Sequence, residues 1–223
     1  MSTIILPETF QFLNLLKRNN NREWFNEHKQ LYINAHENVI DFVDDIIVGL
    51  AEIDPEIGKT NAKKALYRIY RDTRFSHNKD PYKTNFGASL GMSKGNNKAG
   101  LYIHIEPNQS FIGGGIYQPE SSVLRKIRQE ISVFPNEFQS IIENPNFKNY
   151  FGKLSEESKL VKIPNGFDKE HPLAEYLKLK SLLAIHNLEN AQLSTQNSTS
   201  QIVKTLQHLQ PFIHFINTAI EEN

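Results

Sequence analysis

The chain has 223 residues, 25 Lys and Arg against 25 Asp and Glu, 39% hydrophobic residues and no Cys. That length can bury a substantial core, and the composition is too aromatic for a disordered chain and too polar for a membrane protein. Zero Cys excludes disulfides, thiolate catalysis and Cys-ligated metal, and zero net charge excludes a global attraction to nucleic acid or anionic lipid.

The opening Met-Ser-Thr-Ile-Ile-Leu-Pro-Glu has no basic start, and Pro7 and Glu8 cut its apolar run short of a leader segment. The longest apolar stretch, Ile46 to Ala51, falls far below the roughly 18 residues of a spanning helix. A cytoplasmic protein without a membrane partner is the expectation.

Pro7 suits a first helical position, and Phe10, Leu13 and Leu16 follow at helical spacing. Asn19 to Asn21 break that pattern, and Asn21 is a fitting N-cap for a second, long helix. Its stripe is Tyr32, Ala35, Val39, Phe42, Ile46 and Leu50, and Asp54-Pro55 with Gly58 end it. Leu66–Arg71, Asn85–Gly91, Leu101–Glu106 and Ser110–Tyr117 read as strands. The last two are expected to form a hairpin about Pro107-Asn108-Gln109.

Glu120 to Phe134 returns to helical spacing, and Pro135 opens another helix. Leu160–Ile163 and Leu182–Ile185 are candidate strands, and residues 189–201 read as a polar surface loop. A last helix carries Ile202, Leu206, Leu209, Ile213, Ile216 and Ile220, with Pro211 as a kink. This order predicts one α+β domain over residues 1–223. A mid-chain antiparallel sheet would be packed by N-terminal and C-terminal helices.

Neutrality hides an asymmetry. Residues 36–58 hold seven acidic side chains and no Lys or Arg, which a solvated helix face explains. Residues 59–83 hold eight basic ones against Asp72 and Asp80. Within Leu66-Tyr-Arg-Ile-Tyr-Arg-Asp-Thr-Arg-Phe-Ser76, Arg68, Arg71 and Arg74 are interleaved with aromatics, as a bidentate anion site requires. Lys79, Tyr82 and Lys83 follow in a polar segment able to close over a ligand. The bland alternative pairs these arginines with Asp41, Asp44 or Asp45.

Tyr102, His104 and Glu106 alternate along one strand and share a face, so His104 and Glu106 can serve as an acid–base pair or as two metal ligands. The same pattern is also that of a solvated sheet face. No other histidine shows ligand spacing, and no metal site is assigned. Gly113, Gly114 and Gly115 imply a bulge or close backbone approach, either to an anion or to a packed helix. Nucleotide fingerprints and hydrolase motifs are missing, so no cofactor is named.

Three groups of residues together resemble a known family. They are Asn20-Asn21-Arg22-Glu23-Trp24-Phe25 with His28 and Tyr32, Arg68 to Ser76 with Pro81-Tyr-Lys83, and Gly113 to Tyr117 with Arg125 to Arg128. They resemble the conserved-hypothetical, mainly bacterial family known as domain of unknown function 2461. The resemblance spans nearly the whole chain and implies a single-domain member, with no established activity. The family favours Lys-Asp after the Phe-Ser, where this chain has His77-Asn78. A mechanism needing that carboxylate is therefore doubtful here.

The expected function is binding, with hydrolysis or transfer as possible chemistry, of a small phosphate-bearing or other anionic ligand. Arg71 and Arg74 would clamp the anion, with Arg68, Lys79 and Lys83 beside them, Tyr82 ordering the loop and Gly114 allowing close approach. His104 and Glu106 would be catalytic. The rival is a non-catalytic protein-interaction module with the arginines as structural ion pairs. Nucleic-acid binding ranks third, and oligomeric state is not legible.

Overall fold

The N-terminal helices form where the caps and periodicity put them. The computed structural model describes residues 3–91 and 98–222. Helix α1 (Pro7–Arg18) starts with Pro7 in its first turn, where the missing N–H costs nothing, and buries Phe10, Phe12, Leu13 and Leu16. Asn21 caps α2 (Arg22–Glu27) by accepting the Trp24 N–H at 2.9 Å. The long helix is thus two: His28 interrupts it, its ring stacked 4.4 Å from Trp24, and α3 (Lys29–Ala51) follows. Short helices α4 (Pro55–Gly58) and α5 (Ala62–Ala65) are capped by Asp54 and Asn61.

Four strands follow in an antiparallel sheet of order β1-β2-β3-β4: β1 (Phe86–Leu90), β2 (Gly100–Ile105), β3 (Ser110–Ile116) and β4 (Leu182–Leu188). The β2–β3 turn places Asn108 at φ 62°, a left-handed conformation that Asn tolerates. Between β3 and β4 lie α6 (Ser121–Val133), α7 (Pro135–Ile142), α8 (Pro145–Phe151) and α9 (Ala174–Leu177). The chain ends with α10 (Asn190–Leu193), α11 (Ser198–Leu206), a 3₁₀ turn (Gln207–Leu209) and α12 (Gln210–Glu222). The fold is α+β, with helices at both ends of the chain. No helix of the described residues is long and apolar enough to cross a membrane.

Four further local expectations change. Leu66–Arg71 makes only isolated bridges, Leu66 to Ala88 and Tyr70 to Tyr82, because the chain turns away after Arg71 before a ladder can extend. Leu160–Ile163 is irregular, with only the Lys159–Leu179 bridge beside it. Residues 189–201 are largely helical: Glu189 and Gln192 complete a reciprocal capping box that nucleates α10. The C-terminal stripe is broken by the 3₁₀ turn, and Pro211 sits in the first turn of α12 rather than within one helix.

By contacts the chain divides into two units. The first takes the described residues of Met1–Leu90, Tyr102–Ile112 and Asn187–Lys204, and the second those of Gly91–Leu101, Gly113–His186 and Thr205–Asn223. In the first, Phe12, Phe42, Ile46, Leu50 and Phe86 are fully buried, with Phe12 stacked on Phe86 at 6.3 Å. In the second, Phe138 is fully buried among Tyr176, Phe212 and Phe215. There too Gly115, at φ 125°, lies so close to the Leu182 carbonyl that a Cβ would overlap its oxygen. The close approach of the glycines is thus made foremost between strands, rather than to an anion or a packed helix.

Candidate functional site

The basic segment is an irregular two-stranded ribbon within the first unit. The Tyr67 N–H donates to the Gly87 carbonyl (2.8 Å), Lys83 N–H to Ile69 (2.8 Å) and Arg71 N–H to Pro81 (2.9 Å). Asn20 pins its return arm at both polar backbone groups of Tyr82: Nδ2 donates to the Tyr82 carbonyl (3.0 Å) and Oδ1 accepts the Tyr82 N–H (3.1 Å). Phe25 stacks on the buried Tyr82 ring at 4.0 Å. Tyr82 therefore orders the ribbon from inside the core.

At the tip, the cations are consumed within the loop. Arg74 grips Asp72 through Nε (3.0 Å) and Nη2 (2.7 Å), holding that carboxyl down at about 2. The Arg71 guanidinium donates to the Asp80 carbonyl (3.2 Å) and Ser76 Oγ (3.4 Å), and Lys79 Nζ donates to the Thr73 carbonyl (3.0 Å). The carboxylate Arg74 meets thus belongs to its own loop and not to α3. Phe75 projects into solvent, 95% exposed, with the Arg74 guanidinium 5.8 Å from its ring centroid.

At the base the arrangement is opposite. Lys83 lies 5.2 Å over the Tyr67 ring, and its ammonium pKa is lowered, first by burial and then by the nearby Arg68 guanidinium. Among the described residues, neither Arg68 nor Lys83 makes an ion pair within 4 Å. Arg68 does help to hold Asp72 ionised, but Arg74 occupies that carboxylate. Tyr67 Oη donates to Ser89 Oγ (3.1 Å), and its ring lies 6.3 Å from that of Tyr102.

On β2, Tyr102, His104 and Glu106 form one line. A carboxylate can only accept, so the 3.2 Å contact between His104 Nε2 and Glu106 Oε2 puts the imidazole proton on Nε2. His104 Nδ1 is then a lone pair and accepts the Tyr102 hydroxyl, also at 3.2 Å. Thr84 Oγ1 donates to Glu106 Oε1 (3.1 Å), and Phe111 stacks on His104 at 4.6 Å. The His104 and Glu106 side chains are 13% and 14% exposed, so the face is mostly covered rather than freely solvated. Burial lowers the His104 pKa against the opposing pull of Glu106, and burial foremost pushes the Tyr102 hydroxyl up to about 12. At neutral pH the line therefore reads phenol, neutral imidazole, carboxylate.

The structure thus brings Arg68 and Lys83 together with Tyr67, and Tyr67 beside Tyr102. Gly114 belongs to the second unit, where a Cβ would meet the Gly100 carbonyl and Leu209, each at 3.0 Å. A hollow of about 520 Å³ between α1 and α10, edged by Gln11, Asn14 and Arg18, holds none of the candidate ligand-binding or catalytic residues named from the sequence. Sequence reasoning missed Tyr67 and Thr84. Alternation along β2 already marked Tyr102, but no spacing announces a Thr reaching Glu106 from another segment.

No curated protein and no solved structure matches this chain. A family model does: it covers residues 8–215 and is described as a conserved hypothetical protein, DUF2461. The glycine, arginine and Asn-Asn-Arg segments described above all lie within that span, and the chain belongs to this family.

Proposed function

We propose that this protein binds a small phosphate-bearing or similarly anionic ligand at the base of the ribbon. Arg68 and Lys83 grip the anion and Tyr67 walls the site. One observation carries the reading: two cations stand near each other, one half-buried, with no carboxylate of their own among the described residues. Like charges held close cost free energy until an anion arrives, and a phosphate dianion answers both. Arg71, Arg74 and Lys79 stiffen the loop above and add to the local positive field. His104 and Glu106 are the acid–base pair for hydrolysis or transfer. Gly114 has no part in this reading, since its open side faces Leu209 and Leu101.

A second reading, an interaction module with structural arginines, draws on Phe75 and on the Arg74–Asp72 pair. Thermal shift and calorimetric titration with inorganic phosphate, pyrophosphate and nucleotides separate the two. The first reading expects stabilisation that Arg68→Ala/Lys83→Met removes and Arg74→Ala leaves intact. Stabilisation by no anion, or an unchanged response in the double variant, would discard it. A response lost only in Arg74→Ala would move the site to the tip.

A further inference from the structure

The Tyr102–His104–Glu106 line does more than supply an acid and a base. A hydroxyl within hydrogen-bond reach of a base that a third group orients is the general arrangement of an activated nucleophile. All three parts are present: Tyr102 Oη to His104 Nδ1 at 3.2 Å, His104 Nε2 to Glu106 at 3.2 Å, and Thr84 holding the other carboxylate oxygen at 3.1 Å. Stacking on Phe111 at 4.6 Å and 12° fixes the imidazole plane. Gly87 makes room for the hydroxyl, because a Cβ there would overlap Tyr102 Oη. The phenol stays protonated at neutral pH, so it needs a base, and burial keeps His104 neutral to act as one.

From this geometry we infer that Tyr102 is the nucleophile of the site, activated by His104 and Glu106 and directed at a phosphoryl group held by Arg68 and Lys83. The substrate class, a phosphate ester, rests on the anion reading above; the nucleophile does not. In the first step the Tyr102 oxygen bonds to phosphorus and the ester P–O bond breaks. The phenol proton passes to His104 Nδ1 and on to the leaving alcohol oxygen. Water then attacks the phosphotyrosine, giving one proton to His104. That proton returns to Tyr102 as inorganic phosphate departs. Atoms and charge balance, with water as the only co-reactant. In both steps Glu106 stabilises the transient imidazolium.

The test is the rate of tyrosine acylation in the full chain by N-acetylimidazole near neutral pH, read residue by residue by peptide mass spectrometry. Tyr70 and Tyr117 are 53% and 48% exposed and serve as internal references. General-base activation predicts that the less accessible Tyr102 labels at least about tenfold faster than either. His104→Gln and Glu106→Gln should each remove that advantage, whereas a merely structural hydrogen-bond line would shield Tyr102 and slow its labelling. Labelling of wild-type Tyr102 no faster than the references overturns the nucleophile, without recourse to any variant. Inorganic phosphate is the second arm: selective protection of Tyr102 supports the phosphoryl substrate. Fast labelling that phosphate fails to slow upholds the nucleophile and overturns the phosphoryl substrate, while the anion reading is decided separately by the thermal-shift panel above.

Discussion

Replacing Glu106 by Gln keeps the shape of the site and changes one atom's role. The amide nitrogen must face either the His104 Nε2–H or the Thr84 hydroxyl, both of which donate to Glu106 in the native protein. One charge-assisted bond is lost, which costs about 1.5–3 kcal/mol at a mostly buried position. For a chain of this size that lowers the midpoint by roughly 3–12 °C. The pH dependence is the sharper readout. His104 already has a folded pKa below its ordinary 6.5 because of burial, and Glu106 is what opposes that shift. A depressed histidine makes the unfolded chain bind more protons, so stability falls as pH drops from 6.5 toward the folded value. Removing Glu106 pushes the folded value lower still and extends the loss. The deficit of the variant should therefore be constant in mildly alkaline buffer and widen in acid once the wild-type His104 begins to protonate. The widening is at most about 1.4 kcal/mol per pH unit. His36 is also depressed, chiefly by burial, but it is common to both proteins and cancels. Thermal melts from about pH 8 to about pH 5, the range in which His titrates, are sufficient. A deficit that narrows in acid, or none at all at pH 8, would show that Glu106 does not hold a neutral imidazole.

Asn20→Ala strands both backbone groups of Tyr82 and should cost about 1–3 kcal/mol, with hydrogen exchange at Tyr82 and Lys83 speeding up more than elsewhere. Uniform exchange would mean that Asn20 does not hold the ribbon. Lys83→Met should leave the midpoint in anion-free buffer unchanged or higher, since it removes a half-buried charge repelled by Arg68; a loss above about 1 kcal/mol would reveal a counter-ion of its own. Phe138→Ala, at a fully buried ring touching Tyr176 and Phe215, should cost about 3–5 kcal/mol in chemical denaturation. Gly115→Ala combines φ 125° with overlap of the Leu182 carbonyl and should lower soluble yield or cost several kcal/mol; near-wild-type stability would contradict that close approach.

The helices were legible because their signals are local. Pro7, Asn21 and Pro135 act within one turn, and each sits at a helix start in the structure. The break at His28 was not legible, because Asn21 reads as the cap of one helix that continues into the Tyr32 stripe; the His28 backbone at φ −108° and ψ 24°, with its ring on Trp24, marks the interruption. Leu66–Arg71 looked like a strand because aromatic and branched residues favour extended chain. Whether extended chain joins a ladder depends on a partner, and here the partner pairs only at Leu66 and Tyr70. The α10 capping box lay hidden in an Asn/Gln-rich composition that reads as loop.

The site shows the same division between near and far. Arginine clustering singled out the segment on which the proposed site rests, and favoured Arg71 and Arg74 where the proposal rests on Arg68. Chain geometry could have reordered them. In extended backbone, residues two apart are separated by roughly 7 Å, and residues four apart by roughly 13 Å. Arg74 therefore reaches Asp72 with ease, and the structure closes that pair in two bonds to the guanidinium at 2.7 and 3.0 Å. Arg68 faces the same carboxylate from four residues away and arrives second. Its neighbour across the ribbon is Lys83, placed there by the Lys83-to-Ile69 hydrogen bond rather than by any nearby spacing. Proximity along the chain does not by itself decide the pairing: Arg71 lies next to Asp72 and Lys79 next to Asp80, yet both donate to neutral oxygens of the loop, and it is Arg74 that closes the ion pair. The pertinent question for each arginine is therefore which oxygens of its own loop it meets, since a guanidinium already donating to them has fewer donors left for a ligand.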